Sequence, residues 1–245
     1  MTADEDPKAD LWTRARAFRA RYQVPHGLFW IRRVNHTAGA FIAMLLVPTP
    51  VTPNLVTVGG LVVHVVGAAV VATMPSPAPA WAAILVMLVW QLAFSLDCAD
   101  GTLARARGTT SSFGAWFDQI VDSFSRTAVY VSLILFLIRA LALRPAEAAL
   151  LAGLSVALAL IQTFASWERS SLIGGRSPIA DTGRRAAFVL RVGQQLVDYG
   201  AFLFVVALLL LVPPLLLIAV IASAAVNALF VAAQVALAWR RHVRA

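Results

Sequence analysis

The sequence predicts an all-α, polytopic membrane protein with six transmembrane helices and an N-terminal amphipathic interfacial helix. Three observations carry this. Of the 245 residues, 60% are hydrophobic and only 13% are charged, where a soluble domain carries about a quarter charged residues. The apolar residues gather into long runs, and a span needs roughly 20 of them to cross about 30 Å of hydrocarbon. The runs are continuous rather than alternating, which argues against a bacterial-type β-barrel. The same composition excludes an ordinary soluble domain and a disordered chain. A single cysteine, Cys98, excludes an intrachain disulfide framework and a cysteine-based zinc site. The acidic first ten residues do not read as a cleaved signal peptide.

The first element follows from Leu11, Trp12, Ala15, Phe18 and Tyr22, which recur at helical steps with Arg14, Arg16, Arg19 and Arg21 between them. That pattern predicts a helix lying on a membrane surface. A second apolar stretch, 29–47, is interrupted by Arg32, Arg33, Asn35 and His36, and reads as interfacial or re-entrant. Pro48, Pro50 and Pro53 end it. Six spans are expected near 55–74, 80–104, 114–138, 146–166, 188–212 and 214–238, with turns at 74–79 and at Pro213-Pro214. Residues 1–54 are expected to be a cytoplasmic and interfacial segment, and 55–245 the transmembrane domain.

Orientation comes from the basic residues in the connections. Seven precede the first span. Arg105 and Arg107 lie between spans two and three. Arg169, Arg176, Arg184 and Arg185 lie between four and five, and Arg240, Arg241 and Arg244 in the tail. The other three connections hold only Arg139 and Arg144. Both termini are therefore expected on the cytoplasmic side of the cell membrane. The net charge of +8 then reflects topology and attraction to anionic membrane lipids, and no nucleic-acid partner is expected.

Ionisable groups inside a membrane are costly and usually functional. Four of the 12 acids fall in one apolar stretch: Asp97, Asp100, Asp118 and Asp122. Spacings of three and four put each pair on one helix face. The first pair falls near the cytoplasmic end of span two, and a polar turn over 105–113 returns the chain so that the second pair sits at the same depth on span three. Four carboxylates meeting there repel one another unless cations are present. Oxygen ligands at this density suit Mg²⁺ or Mn²⁺, and two hard cations clamping a diphosphate run phosphoryl transfer well. The competing structural reading pairs the acids with Arg105, Arg107 and Arg126 to hold helices together. Gly101 and Gly114 favour a site, since each removes a side chain where a ligand can approach the backbone.

Asp97, Asp100, Gly101, Ala104, Arg105, Gly114, Asp118 and Asp122 resemble the signature of the CDP-alcohol phosphotransferase family, D-x2-D-G-x2-A-R-x8-G-x3-D-x3-D, at all eight fixed positions. The resemblance implies a six-helix membrane enzyme, commonly a homodimer. Such an enzyme moves a substituted phosphate from a CDP-linked donor to an alcohol acceptor and releases CMP. It implies that Asp97, Asp100 and Asp118 ligate metal, and that Asp122 takes the acceptor hydroxyl's proton and can touch a second metal. Asp97, Asp100, Gly101, Ala104 and Arg105 would border the CDP, and Gly114 would leave room for the cytidine. The stretch 52–57 resembles a donor-binding segment, which adds Asn54 and Thr57; helix capping after Pro53 is their alternative role.

CDP-diacylglycerol is the donor expected, with a phospholipid as product. A CDP-polyol or CDP-amino-alcohol donor with a lipid or phosphorylated acceptor uses the same residues. An intramembrane prenyltransferase and an ion-coupled transporter are the rivals from other classes. Arg126, Arg169 and Arg191 lie near the cytoplasmic ends of three spans and would suit a phosphate-bearing acceptor. Against this stands simple positive-inside charge. His64 reads as a hydrogen-bonded core histidine, Cys98 as a small packing residue, and Asp198 as part of a polar face that lines the cavity or joins helices.

Overall fold

A computed structural model of the chain describes residues 10–23, 29–172 and 198–242. All regular structure among these residues is helical. Asp10 caps α1 (Leu11–Tyr22) by accepting from the Trp12 and Thr13 amides. This helix buries Ala15 and Phe18 and leaves Leu11 and Trp12 exposed. A π-helical turn, Ile31–Asn35, runs straight into α2 (His36–Leu46). Proline opens α3 (Pro53–Thr73), where the Thr52 side chain accepts from the Leu55 amide. The next helix, α4 (Ala80–Arg107), stops at Gly108, whose φ of 66° is the left-handed conformation that favours glycine. Ser111 then caps α5 (Ser112–Leu141) by accepting from the Gly114 amide. Pro145 opens α6 (Pro145–Leu172), Asp198 caps α7 (Tyr199–Leu209), and Pro213 opens α8 (Pro213–His242).

Helices therefore occur within each of the six expected places, although 188–197 of the fifth lies outside the described residues. Three of them, α3, α4 and α5, are long and apolar enough to cross a membrane among the described residues. Shorter apolar stretches occupy Pro145–Ala157, Tyr199–Leu209 and Pro213–Leu229.

The bundle is built around α4. It packs against α2, α3 and α7, while α3 also packs on α5, and α5 on α6. Trp90, Phe136, Leu133, Leu203 and Leu216 are fully buried in the main core. A second core joins Phe18 of α1, Ala40 and Ala43 of α2, Val56 of α3, and Ala99 and Leu103 of α4. The N-terminal segment thus shares a core with α4, which carries Asp97 and Asp100.

The stretch that begins at Phe29 is helical through Leu46, and its polar residues do not break it. Asn35 is fully buried and its amide donates to Gln91 Oε1 at 3.0 Å and Ser95 Oγ at 3.3 Å. Trp30 Nε1 donates to the same Gln91 oxygen at 3.1 Å, and Gln91 Nε2 donates to the Gly200 carbonyl at 2.8 Å. Buried Asp198 accepts from the Trp30 and Ile31 amides. Buried polar groups need such partners, and here they fasten α4 and α7 to the start of α2. Asp198 thus joins helices.

Close helix approach depends on small residues. A Cβ on Gly67 would lie 2.5 Å from Trp90 Nε1, and Trp90 is fully buried. The ring has no free volume to move into. Gly67→Ala is therefore expected to destabilise the fold by about 1–3 kcal/mol, the usual cost of overpacking. Thermal unfolding of the purified variant in detergent checks this; an unchanged midpoint would show that α3 and α4 can separate at no cost.

Candidate active site

The motif residues meet where α3 begins, α4 ends and α5 begins. A cavity of about 470 Å³ opens there, lined by Asn54 and Thr57 of α3, Asp100, Gly101, Ala104 and Arg105 of α4, and Gly114 and Asp118 of α5. The turns set this geometry. Gly108 lets the chain leave α4 sharply, and the Thr109 amide bonds back to the Ala104 carbonyl at 2.9 Å. Ser111 starts the next helix only three residues on. Two long helices are thereby forced antiparallel, with their carboxylates at one end.

Asp100 is buried. It accepts a hydrogen bond from Thr57 Oγ1 at 2.5 Å, across from α3, and its other oxygen faces the Gly101 amide. Asp118 lies across the cavity on α5. Asp97, one turn earlier on α4, falls outside the lining; its electrostatic neighbours are Asp122, Asp118, Asp100 and Arg126. Asp122 pairs with Arg126 at 3.7 Å, one turn along α5. The guanidinium of Arg126 also stacks on Tyr199, 4.1 Å from the ring centroid.

Gly101 lines the cavity and also gives room to a neighbouring side chain. A Cβ there would meet Arg105 Nη1 at 3.2 Å, so the arginine folds back against the bare backbone. Its Nε donates to the Tyr22 carbonyl at 2.6 Å, which ties the end of α1 to the cavity wall. Gly114 faces Ser111 Oγ and Asn54 Oδ1, at 3.2 and 3.8 Å from a Cβ built there. That lets the starts of α3 and α5 approach.

The alternative in which arginines pair with the aspartates holds only for Arg126 and Asp122. Arg105 bonds to Tyr22, and Arg107 donates to the carbonyls of Leu46, Val47, Thr49 and Val51. Arg107 thus closes the end of α2 and shapes the approach to α3. Sequence reasoning missed it as a lining residue, together with Thr52, Thr109, Thr110 and Ser111. The polar run over 107–112 was the available signal, since a stretch of polar residues and glycine between two spans must face water or a ligand.

Among the described residues, no three His, Cys, Asp or Glu side chains already converge as a metal site. The chemistry of the donor set nevertheless fits hard cations. Four carboxylates lie close enough to repel one another, and one guanidinium pairs with one of them.

Of the three arginines expected near an acceptor, Arg126 is the one whose side chain is described, and it points at Asp122 and Tyr199. Arg169 belongs to α6 by its backbone. Arg191 and most of the loop over 170–185 lie outside the described residues. His64 is buried, with Nδ1 3.2 Å from the Gly60 carbonyl. Cys98 packs against Gly39 of α2.

Comparison with known proteins addresses the same region. The profile of the CDP-alcohol phosphatidyltransferase family matches residues 50–239. A curated relative, Cholinephosphotransferase 1 of Danio rerio, is 30% identical over 119 residues, which cover 47% of this chain and 28% of the relative. The match thus spans less than a third of that relative's length.

Proposed function

The chain belongs to the CDP-alcohol phosphatidyltransferase family, and we propose that it transfers a substituted phosphate from a CDP-linked donor to an alcohol in phospholipid synthesis, releasing CMP. The observation that carries this reading is the cavity. Motif residues from α4 and α5, together with Asn54 and Thr57 at the start of α3, line a single space with a buried carboxylate on its wall.

In this reading the donor is CDP-diacylglycerol. Its cytidine end lies along Asn54, Thr57, Gly101, Ala104, Arg105 and Gly114. The acceptor oxygen attacks the phosphorus that carries the lipid, the bond to the CMP oxygen breaks, and CMP leaves with the electron pair. Asp122 takes the hydroxyl proton as the new bond forms, with Arg126 holding its carboxylate in place. Asp97, Asp100, Asp118 and Asp122 are the residues that would hold Mg²⁺ or Mn²⁺ in a two-metal arrangement. Such cations supply charge neutralisation at the diphosphate and at the departing CMP. Asp100 is kept in register by Thr57 and the Gly101 amide. Arg126, Arg169 and Arg191 form the acceptor side.

The rest of the reading concerns placement. All six apolar helices from α3 to α8 cross the membrane, with α1 at its surface. Residues 55–245 form the catalytic domain and 1–54 the cytoplasmic and interfacial segment. Both termini and the cavity face the cytoplasm at the cell membrane, and two copies associate as a homodimer.

The likeness to a protein named as a cholinephosphotransferase favours a second reading: a CDP-amino-alcohol donor and a lipid acceptor. One assay separates the two. Purified protein with Mg²⁺ is given either CDP-diacylglycerol and a pool of small alcohols, or CDP-choline and diacylglycerol. CMP in the first arm is expected. CMP in the second arm alone moves the lipid to the acceptor. CMP in neither arm rejects transfer from both donors.

A further inference from the structure

A second cavity, of about 660 Å³, lies between α1 and the π-helical turn that leads into α2. Among the described residues it shares no lining residue with the first. Arg16 and Arg19 of α1 face Arg32 and Arg33 of the turn across it, with Trp12 and Thr37 at its edge. Among the described residues, neither aspartate nor glutamate lines it. Asp10, the acid at the start of α1, is committed to the Trp12 and Thr13 amides and the Thr13 hydroxyl.

Four guanidiniums in one concavity repel one another. The arrangement is held in place by the fold: Arg19 Nη2 donates to the Arg32 carbonyl at 2.5 Å, and Phe18 anchors α1 in the second core. Burial and the charges of Arg32 and Arg33 lower the Arg19 pKa, which shows that the three groups feel each other. Arg16 and Arg33 are stacked on Trp12 and Phe29 at 5.6 and 5.9 Å. Cation–π stacking leaves the in-plane N–H groups of a guanidinium free for an anion.

We propose that this cavity is a binding site for a phosphate group, separate from the donor cavity. Guanidinium forks match phosphate oxygens two at a time, and several arginines facing one space suit a group that presents oxygens in more than one direction. The exposed Leu11 and Trp12 beside it are 55% and 52% accessible. An apolar rim next to a phosphate site is the chemistry of an anionic lipid headgroup, with inorganic phosphate as the other source of the same group.

The test uses the full chain in detergent, titrated separately with phosphatidylglycerol, phosphatidylcholine and inorganic phosphate, with bound molecules counted by native mass spectrometry. The wild type is expected to hold phosphatidylglycerol in preference to phosphatidylcholine. Arg16→Gln/Arg33→Gln is expected to weaken phosphatidylglycerol binding about thirtyfold, from two interfacial cations at ordinary strength, and to leave phosphatidylcholine unchanged. Arg16→Lys/Arg33→Lys keeps both charges and should retain most of the preference, which guards against a misfolded glutamine variant. Arg144→Gln, which removes an exposed arginine paired with Glu147, should behave as wild type. Displacement of the lipid by inorganic phosphate identifies the phosphate group itself as the ligand; bound lipid that resists it identifies the whole headgroup. Equal affinity in the wild type and the glutamine pair, or equal loss in Arg144→Gln, overturns the proposal.

Discussion

Asp122→Asn is expected to lower kcat by roughly 100-fold or more, the usual contribution of a positioned acid–base group, while donor affinity falls little. The argument is geometric. Asp122 lies one turn beyond Asp118 on α5 and is held by Arg126 at 3.7 Å. Asparagine keeps the size of the side chain but cannot take a proton. It also leaves the half-buried Arg126 without its paired charge, and breaking such a pair destabilises. Turnover must therefore be read beside direct donor binding and thermal unfolding, so that a lost base is told apart from a loosened helix. Intact folding, near-normal donor binding and a collapsed kcat fit the assignment. Near-normal turnover in Asp122→Asn would place the base elsewhere.

Removal of divalent metal is expected to stop turnover altogether, and Mg²⁺ or Mn²⁺ to restore it. Like-charged carboxylates in one apolar region need cations to be ionised together, and a single paired guanidinium cannot serve four. Asp100→Asn should act on the same property by another route. Its amide oxygen can still accept from Thr57, so the link between α3 and α4 survives while a ligand charge is lost. Metal and donor affinity should then fall together, by contrast with Asp122→Asn. Calorimetric titration with metal, with and without a CDP-linked donor, measures both. Full activity in excess chelator, after metal content is verified as nil, rejects the role of the cation.

The motif was legible because fixed spacing maps directly onto helix faces. Asp97 and Asp100 share a face of α4 whatever surrounds them, and the polar turn sends Asp118 and Asp122 back to the same end. Pro53, Gly108, Ser111, Pro145 and Pro213 mark helix ends through local backbone chemistry, which needs no tertiary information. The stretch after Phe29 was not legible in the same way. Arg32, Arg33, Asn35 and His36 look like an interruption because the partners of Asn35 are Gln91 and Ser95, more than fifty residues away. Arg105 and Arg107 also offered a competing reading, as counter-ions for the acids beside them. In the fold, main-chain carbonyls at the ends of α1 and α2 claim them first. Hydropathy and spacing see charge and period; they do not see which long-range acceptor a guanidinium will find.

The hydrogen bond between Thr57 and Asp100 also bears on how the protein is made. A chain is synthesised from its N-terminus, so α3 leaves the ribosome before α4. An aspartate at the centre of an inserting helix costs about 2.5–3.5 kcal/mol on translocon scales, and less toward its end. When α4 arrives with its acids near its trailing end, the hydroxyl that takes up Asp100 is already in place on the preceding helix. The next helix solves the same difficulty alone: Asp122 emerges with Arg126 four residues behind it, on its own face of α5. Each burdened helix thus meets its counterpart either just before it is released or within itself. For Asp100 and Asp122 the order of elements along the chain is thus an assembly order, in which the partner is made beforehand or within the same helix.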